Sequence, residues 1–492
     1  MFDFEAFFRQ FLYDPKNPLL FNNGFFVFFF AIFISAYYLL RNNFPARKYL
    51  FCFFSLYFFY KASGFFVVFV ILSAIVDYFL SNAIYRQQNK SKKKLLLVCS
   101  IVFNLGLLFY FKYTNFFIAT CNELLKTHYN PLNILLPVGI SFYTFENLSY
   151  TIDVYRGHFV PVKKFTDYLL FLSFFPKLVM GPIVRASDFI PQIDKQYAIS
   201  ESDFAKGFYL IVSGLFKKLI ISDFITQNFV DYIFDDPSRY TGLECLFAVY
   251  GYAVVIYCDF SGYSDVAIGI AKWLGFTIPP NFRSPYQSKN ITEFWRRWHI
   301  SLSSWLRDYL YIPLGGNRKG VVRTYINLML TMLLGGLWHG ASWNFIVWGG
   351  LHGVALAFHK IWKQKTENIL KPVSNSSFIN ALSVLITFHF VCFCWIFFKA
   401  ADFSIAGDMI HQILHDFDFS VWGAFFNNYK PVIALMLLAY LLHSIPDDFA
   451  DRVIGRFKKV PLLYYLGVFF VFVLLYGFFK SSEPVMPIYL RF

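Results

Sequence analysis

Charge is scarce in this 492-residue chain: Asp, Glu, Lys and Arg make up 15%, against about 25% in an average soluble domain. Cysteine is sparse too, with seven residues and no C-x-x-C pair. The one close pair, Cys392 and Cys394, projects about 200° apart on a helix and cannot chelate together. The cysteines therefore read as small core residues, not as a redox or metal site. No G-x-S-x-G elbow, H-E-x-x-H helix or phosphate-cradling P-loop occurs, which excludes the common hydrolase, zinc-protease and nucleotide-motor classes at motif level. The first twenty residues carry Asp3, Glu5 and Asp14 and lack a basic n-region, so no cleavable signal peptide is expected. Internal repeats and low-complexity linkers are also missing.

Apolar and aromatic residues fill that space. Hydrophobic residues reach 57%, with 67 Phe and 33 Tyr, and the mean hydropathy is +0.49. Disorder, collagen and a disulfide-stapled secreted module are excluded. The net charge of +14 must be concentrated in loops. Loops facing anionic lipid, or an anionic ligand, account for it better than nucleic acid does. The expected fold is an all-α polytopic membrane protein of roughly 10–12 transmembrane helices, with re-entrant and interfacial helices added.

Basic loops set the topology. Phe4, Phe7, Phe8 and Phe11 share one helical face, as a segment lying on the membrane surface would. Gly24–Leu40 can span and ends at Arg41, Arg47 and Lys48, which reads as cytoplasmic. The loop of Arg86, Lys90, Lys92, Lys93 and Lys94 reads the same way, so two short spans must fit between Tyr49 and Leu80, broken at Lys61–Gly64. Further candidates are Leu95–Phe111, Leu136–Ile152, Tyr168–Val184, Phe208–Ile221 and Cys245–Phe260. The last four are interrupted by Pro, Gly or charge and are expected to lie inside protein. Phe378–Phe398 then crosses outward to the acidic Ala400–Asn428 segment, Pro431–His443 returns, and Leu462–Phe479 crosses out again. This count places both termini outside.

Residues 281–353 differ from the rest. In Thr292–Ile312, Trp295, Trp298, Leu302, Trp305, Leu306 and Tyr309 recur at spacings of three and four, with Arg296, Arg307 and Ser303 on another face. That pattern predicts one amphipathic helix too polar to cross hydrocarbon. Eight Lys or Arg stand between Arg283 and Arg323, against Glu293 and Asp308. They serve as a positive-inside interfacial element, or they also hold a phosphate-bearing donor, since guanidinium forks suit phosphate oxygens.

Thr324–Phe358 is apolar and bracketed by basic residues at both ends, so it must enter the bilayer and come back. Its turning point is expected at Gly335-Gly-Leu-Trp-His-Gly340, with arms of about 25 Å. His339 would then sit deep, where an imidazole is costly unless it lines a cavity or has a partner. It is the first functional candidate in the chain, its flanking glycines allowing close approach of backbone or substrate. Asp259, Asp265, Glu146 and Asn147 compete as polar residues in apolar runs, either structural or part of a site. His299 sits between the apolar and basic faces of its helix.

Three stretches carry a resemblance: Phe294-Trp-Arg-Arg-Trp-His-Ile-Ser-Leu-Ser303, Arg307-Asp-Tyr-Leu-Tyr-Ile-Pro-Leu-Gly-Gly-Asn317 and Gly336-Leu-Trp-His-Gly-Ala341. Together they resemble the signature of membrane-bound O-acyltransferases, in the bacterial branch that holds the membrane subunit of alginate O-acetylation and the peptidoglycan O-acetyltransferase. Leu136–Tyr143, Ser149–Asp153, Gly181–Ile183 and Asp259–Asp265 support it. The likeness is dense from Leu136 to Gly353 and weak in the flanks. Lys177 and Glu146 depart from it, standing where uncharged polar residues such as Gln are expected.

The resemblance implies a funnel of helices around a central channel, with an acyl donor on the cytoplasmic side of the bacterial inner membrane. It divides one integral chain into N-terminal helices (1–135), a catalytic core (136–360) and C-terminal helices with an external tail (361–492). It makes His339 the general base and His299 the second characteristic histidine. Acetyl-CoA becomes the expected donor, with no bound cofactor or metal, its phosphates held among Arg296, Arg297, Arg307, Arg318 and Lys319. Acetyl would pass to a separate extracytoplasmic O-acetyltransferase or esterase-like partner acting on a polysaccharide. Tyr489, in the tail Met486-Pro-Ile-Tyr-Leu-Arg-Phe492, either relays the acyl group or simply anchors the tail at the membrane surface. Membrane lipid, not nucleic acid, is the other expected partner. D-alanyl transfer from a carrier protein to teichoic acid and a non-enzymatic transporter remain as alternatives.

Overall fold

Asparagine starts many of the helices. Asn23, Asn43, Asn89 and Asn290 each accept a backbone N–H of the first turn that follows, satisfying a donor that has no carbonyl four residues back. The computed structural model describes residues 9–21, 23–370, 376–480 and 485–490, so Phe4, Phe7 and Phe8 of the expected surface segment lie outside the described residues. Among the described residues all regular structure is helical. The chain divides into two compact units, residues 1–207 with 266–279, and residues 208–265 with 280–492.

The first unit holds α1 (Gly24–Leu39), α2 (Phe44–Ser63), α3 (Val67–Arg86), α4 (Lys90–Leu108), α5 (Thr114–Leu125), α6 (Ile140–Arg156), α7 (Phe165–Ser173) and α8 (Ala186–Ile193). The expected break at Lys61–Gly64 is real: Gly64, at φ 63°, ends α2, and a 3-10 turn leads into α3. Each of these 20-residue helices is about 30 Å long, the thickness of a hydrocarbon core. The Tyr168–Val184 run is not one helix. It breaks at Phe174 and is buried except at the half-buried Leu169, with Tyr168, Phe171, Leu172 and Phe175 fully enclosed.

Two polar knots hold this unit. Asp77 on α3 accepts hydrogen bonds from Ser100 and Asn104 of α4 and Thr151 of α6. Asn147 donates to Asn104 at 3.1 Å and accepts from the Tyr168 hydroxyl at 2.6 Å. The second knot joins the two departures from the family pattern: Lys177 and Glu146 form a buried ion pair, and Glu146 also accepts from the Val184 N–H at 3.1 Å. Each charge answers the other.

The second unit receives α9 (Glu201–Leu215) from residue 208 onward and α10 (Gly242–Trp273) as far as residue 265. It continues with α11 (Ile291–Arg297), α12 (Ile300–Leu306), α13 (Val321–His339), α14 (Trp343–Leu370), α15 (Ser377–Lys399), α16 (Phe403–His415), α17 (Trp422–Asn428), α18 (Lys430–His443), α19 (Asp447–Phe457) and α20 (Leu462–Phe479). Six helical runs among the described residues are long and apolar enough to cross a membrane, or seven if α17 and α18, bent by 84°, count as one. The 16-residue α1 is a shorter apolar helix. Five cysteines are buried, Cys121 is half-buried and Cys99 is exposed on α4.

Candidate active site

His339 closes α13, and α14 begins four residues later at Trp343. The turn therefore falls at Gly340–Ser342, at the C-terminal end of the stretch expected from sequence. Of the two uses expected of the glycines, room for backbone is the one seen at Gly336. A Cβ on Gly336 would stand 2.2 Å from the Phe345 carbonyl oxygen, and one on Gly349 would stand 2.3 Å from the Met332 oxygen. Bare backbone is what lets the two arms press together. His339 is held at the tip, 3% exposed. Its ring lies among Trp338, Trp348 and Phe398 at centroid distances of 5.0, 5.1 and 5.3 Å.

The single amphipathic helix expected over Thr292–Ile312 is broken in two. Trp298 leaves α11 in extended conformation, and His299 takes left-handed backbone angles (φ 42°, ψ 56°) before α12. Its apolar face packs inside the protein, with Phe294, Trp298, His299 and Leu302 buried, while Arg296 and Arg307 are exposed. The break exists because Asn281 supplies bonds that a continuous helix would have made internally. Its backbone carbonyl accepts from the Ile300 N–H at 2.9 Å. Its side-chain Oδ1 accepts from the Ser301 N–H at 3.2 Å and the Ser301 hydroxyl at 2.9 Å. The same Oδ1 lies 3.1 Å from His299 Nδ1.

That oxygen fixes the state of the ring. A carbonyl oxygen cannot donate, so Nδ1 carries the hydrogen and the lone pair of the neutral imidazole is on Nε2. Burial pushes the His299 imidazolium down to about 3, so the ring is neutral. Nε2 is buried without a hydrogen-bond partner among the described residues.

The tail reaches the same place. Asp259 on α10 accepts from Lys218 at 2.6 Å, and Lys218 also pairs with Asp223 at 2.7 Å. This enclosed group grips the main chain of the tail twice, with Ile488 N–H donating to Asp259 at 3.0 Å and Lys218 donating to the Val485 oxygen at 3.4 Å. Tyr489 follows directly. Its ring centroid is 5.5 Å from that of His339 and 6.1 Å from that of His299, while the two histidines are 6.4 Å apart. Phe260 closes the triangle, 4.6 Å from His299 and 4.4 Å from Tyr489. Two imidazoles and a phenol thus meet in an aromatic enclosure, a set of groups able to move a proton while an acyl group changes oxygen or sulfur.

The five basic candidates separate into two sets. Arg297 pairs with Glu293 at 2.8 Å, and Arg307 pairs with Asp308 at 2.7 Å. Arg296, Arg318 and Lys319 are exposed and make no ion pair among the described residues. Asp265 and Asp259 do not pair with each other; Asp265 is bonded to Lys217 and Asp259 to Lys218. Sequence reading missed Asn281, Lys218 and Asp223. Lys217-Lys218 inside an apolar run was a usable signal for the last two, because buried lysines require acids. No local pattern marks Asn281.

A helical, multi-pass membrane protein with two buried imidazoles converging on a tail tyrosine is the class that these features define. The model of "MBOAT, membrane-bound O-acyltransferase family" matches residues 161–401. The chain is 38% identical over 357 residues to the peptidoglycan O-acetyltransferase of Helicobacter pylori, covering 67% of this chain and 66% of that protein. It is 41% identical over 354 residues to the "Probable alginate O-acetylase AlgI" of Pseudomonas aeruginosa, with coverage of 70% and 65%. The match thus spans just under two thirds of both relatives. It is 31% identical over 294 residues to the teichoic acid D-alanyltransferase of Bacillus subtilis, with coverage of 56% and 72%. The chain belongs to the membrane-bound O-acyltransferase family.

Proposed function

We propose that this protein is an O-acyltransferase of the bacterial inner membrane that takes acetyl from cytoplasmic acetyl-CoA and delivers it outward for O-acetylation of a polysaccharide, peptidoglycan or an alginate-like glycan. The observation that carries the proposal is the convergence of His299, His339 and Tyr489. The names of the relatives supply the acetyl group and the glycan class.

In this reading the Tyr489 hydroxyl attacks the thioester carbonyl while His339 takes its proton. The C–S bond breaks, the thiolate recovers that proton from His339 as free thiol, and acetyl rests on the tyrosine oxygen. A hydroxyl of a separate extracytoplasmic O-acetyltransferase or esterase-like partner then accepts the acetyl and restores the phenol. An imidazolium forming on His339 would sit at the negative end of α13. His299, with its lone pair fixed on Nε2, would accept a hydrogen bond from that imidazolium after a small closing of the 6.4 Å ring separation. The catalytic segment is assigned to residues 136–360 with the tail added. Arg296, Arg318 and Lys319 are the first choice for the donor's phosphates, being free of acidic partners; Arg297 and Arg307 would first have to leave theirs. Both termini face outward in this arrangement.

Reconstituted protein turning over acetyl-CoA, with His339→Ala lowering the rate by about 10²–10⁴-fold, is the expected result. Wild-type turnover by a normally inserted His339→Ala protein refutes the assignment. Dependence on an acylated carrier protein instead of acetyl-CoA would shift the reading to D-alanyl transfer.

A further inference from the structure

A cavity about 590 Å³ in volume lies in the 208–265/280–492 unit among α10, α15 and α18. That volume is in the range of ligand pockets, about 300–1,000 Å³. Its walls are apolar, from Phe247, Val384, Phe388 and Met436 among others. Leu385 and Leu437 on its rim remain 53% and 59% exposed. Leu385 lies on a helix long and apolar enough to cross a membrane, and Leu437 on one that qualifies together with α17, so in a bilayer the mouth would face hydrocarbon.

The polar lining comes from the helix ends. Asn380 belongs to the first turn of α15, His443 and Ser444 close α18, and Gln287 donates to the His443 carbonyl at 2.6 Å. His443 is 8% exposed. Its Nε2 accepts the Tyr286 N–H at 3.0 Å, so in the neutral ring Nδ1 carries the hydrogen. That donor has no partner among the described residues, and a buried donor left unmade is costly. No Lys or Arg lines the cavity among the described residues.

We propose that this cavity holds one diacyl phospholipid, with an acyl chain in the apolar trough and an ester carbonyl accepting from His443 Nδ1. In a bilayer the medium around the mouth would itself be acyl chain, and the neutral donor that the lining buries without a partner, His443 Nδ1, suits a carbonyl. A phosphate buried at the same place would call for a cation that the lining does not supply. The lipid would lie behind Tyr286, whose ring is 6.2 Å from that of Trp298, the residue before His299. It therefore buttresses the wall that carries the second histidine.

The test is native mass spectrometry of the full chain, reconstituted in vesicles of phosphatidylethanolamine and phosphatidylglycerol and then exchanged into detergent. Wild type should retain one diacyl lipid. Val384→Trp, which fills the trough, should lose it, with Met436→Trp as the second variant should the first not fold. Diether analogues of the same headgroups, lacking the carbonyl, should be retained about fivefold less, the loss of one hydrogen bond. Wild type retaining no lipid, filled variants retaining it, equal retention of the diether lipids, or retention of a polyprenyl phosphate in its place would each overturn the proposal.

Discussion

Asn281→Ala isolates the proposed work of His299 without touching its ring. The substitution deletes the Oδ1 that accepts from the Ser301 N–H, the Ser301 hydroxyl and His299 Nδ1. Each neutral bond contributes about 1 kcal/mol net, so about 3 kcal/mol of local support disappears. The left-handed backbone at His299 itself stores about 1–2 kcal/mol, and with its support gone the turn is free to relax. The ring also loses its reason to keep hydrogen on Nδ1. Turnover of acetyl-CoA in reconstituted vesicles should fall by about 10- to 100-fold, equivalent to roughly 1.4–2.7 kcal/mol of transition-state stabilisation. The decisive measurement is the double variant. Because Asn281 is argued to act through the ring, Asn281→Ala should add nothing to His299→Ala. Multiplying effects, or wild-type turnover in the single variant, refute the reasoning. Asn281→Asp keeps the acceptor but sets a carboxylate beside the ring, which favours the imidazolium. Its rate should climb with pH between about 5 and 8, whereas the wild-type ring, already neutral, gives no such rise.

Asp259→Ala removes the acceptor that holds Ile488 and leaves Lys218 with Asp223 alone. Thiol labelling of a Cys placed at Met486 should rise, and turnover should fall at least tenfold while the protein still inserts; unchanged labelling would mean the tail is held by something else. Gly336→Ala and Gly349→Ala each drive a methyl group into facing backbone, and a loss of about 1–3 kcal/mol, read as a lowered thermal midpoint, is expected. An unchanged midpoint in both would contradict the packing of the α13–α14 hairpin. Glu146→Gln alone or Lys177→Gln alone leaves a lone buried charge and should cost about 3–5 kcal/mol, whereas the double change should be nearly neutral; additive losses in a thermal or denaturant scan would refute the coupling.

Much of this molecule is legible in sequence because hydropathy and helix breakers act locally. The Lys61–Gly64 break and the return of the Thr324–Phe358 run follow from run lengths and basic flanks. The split at His299 does not follow. Phe294 to Tyr309 keep helical spacing straight across it, and the residue that enforces the break, Asn281, lies 18 positions upstream. The tail clamp is hidden for the same reason, since Ile488 and Asp259 are 229 residues apart. Glycine was legible as room for backbone or substrate, and facing helix backbone takes the space at Gly336 and Gly349.

The Lys177–Glu146 pair has a consequence for descent. A lineage that carries it cannot exchange it for two neutral side chains by single steps without burying one uncompensated charge on the way. The two positions are therefore inherited as a unit, and a chimera taking residues 140–156 from one parent and 165–193 from another will fail or succeed according to whether both parents solved this contact in the same way.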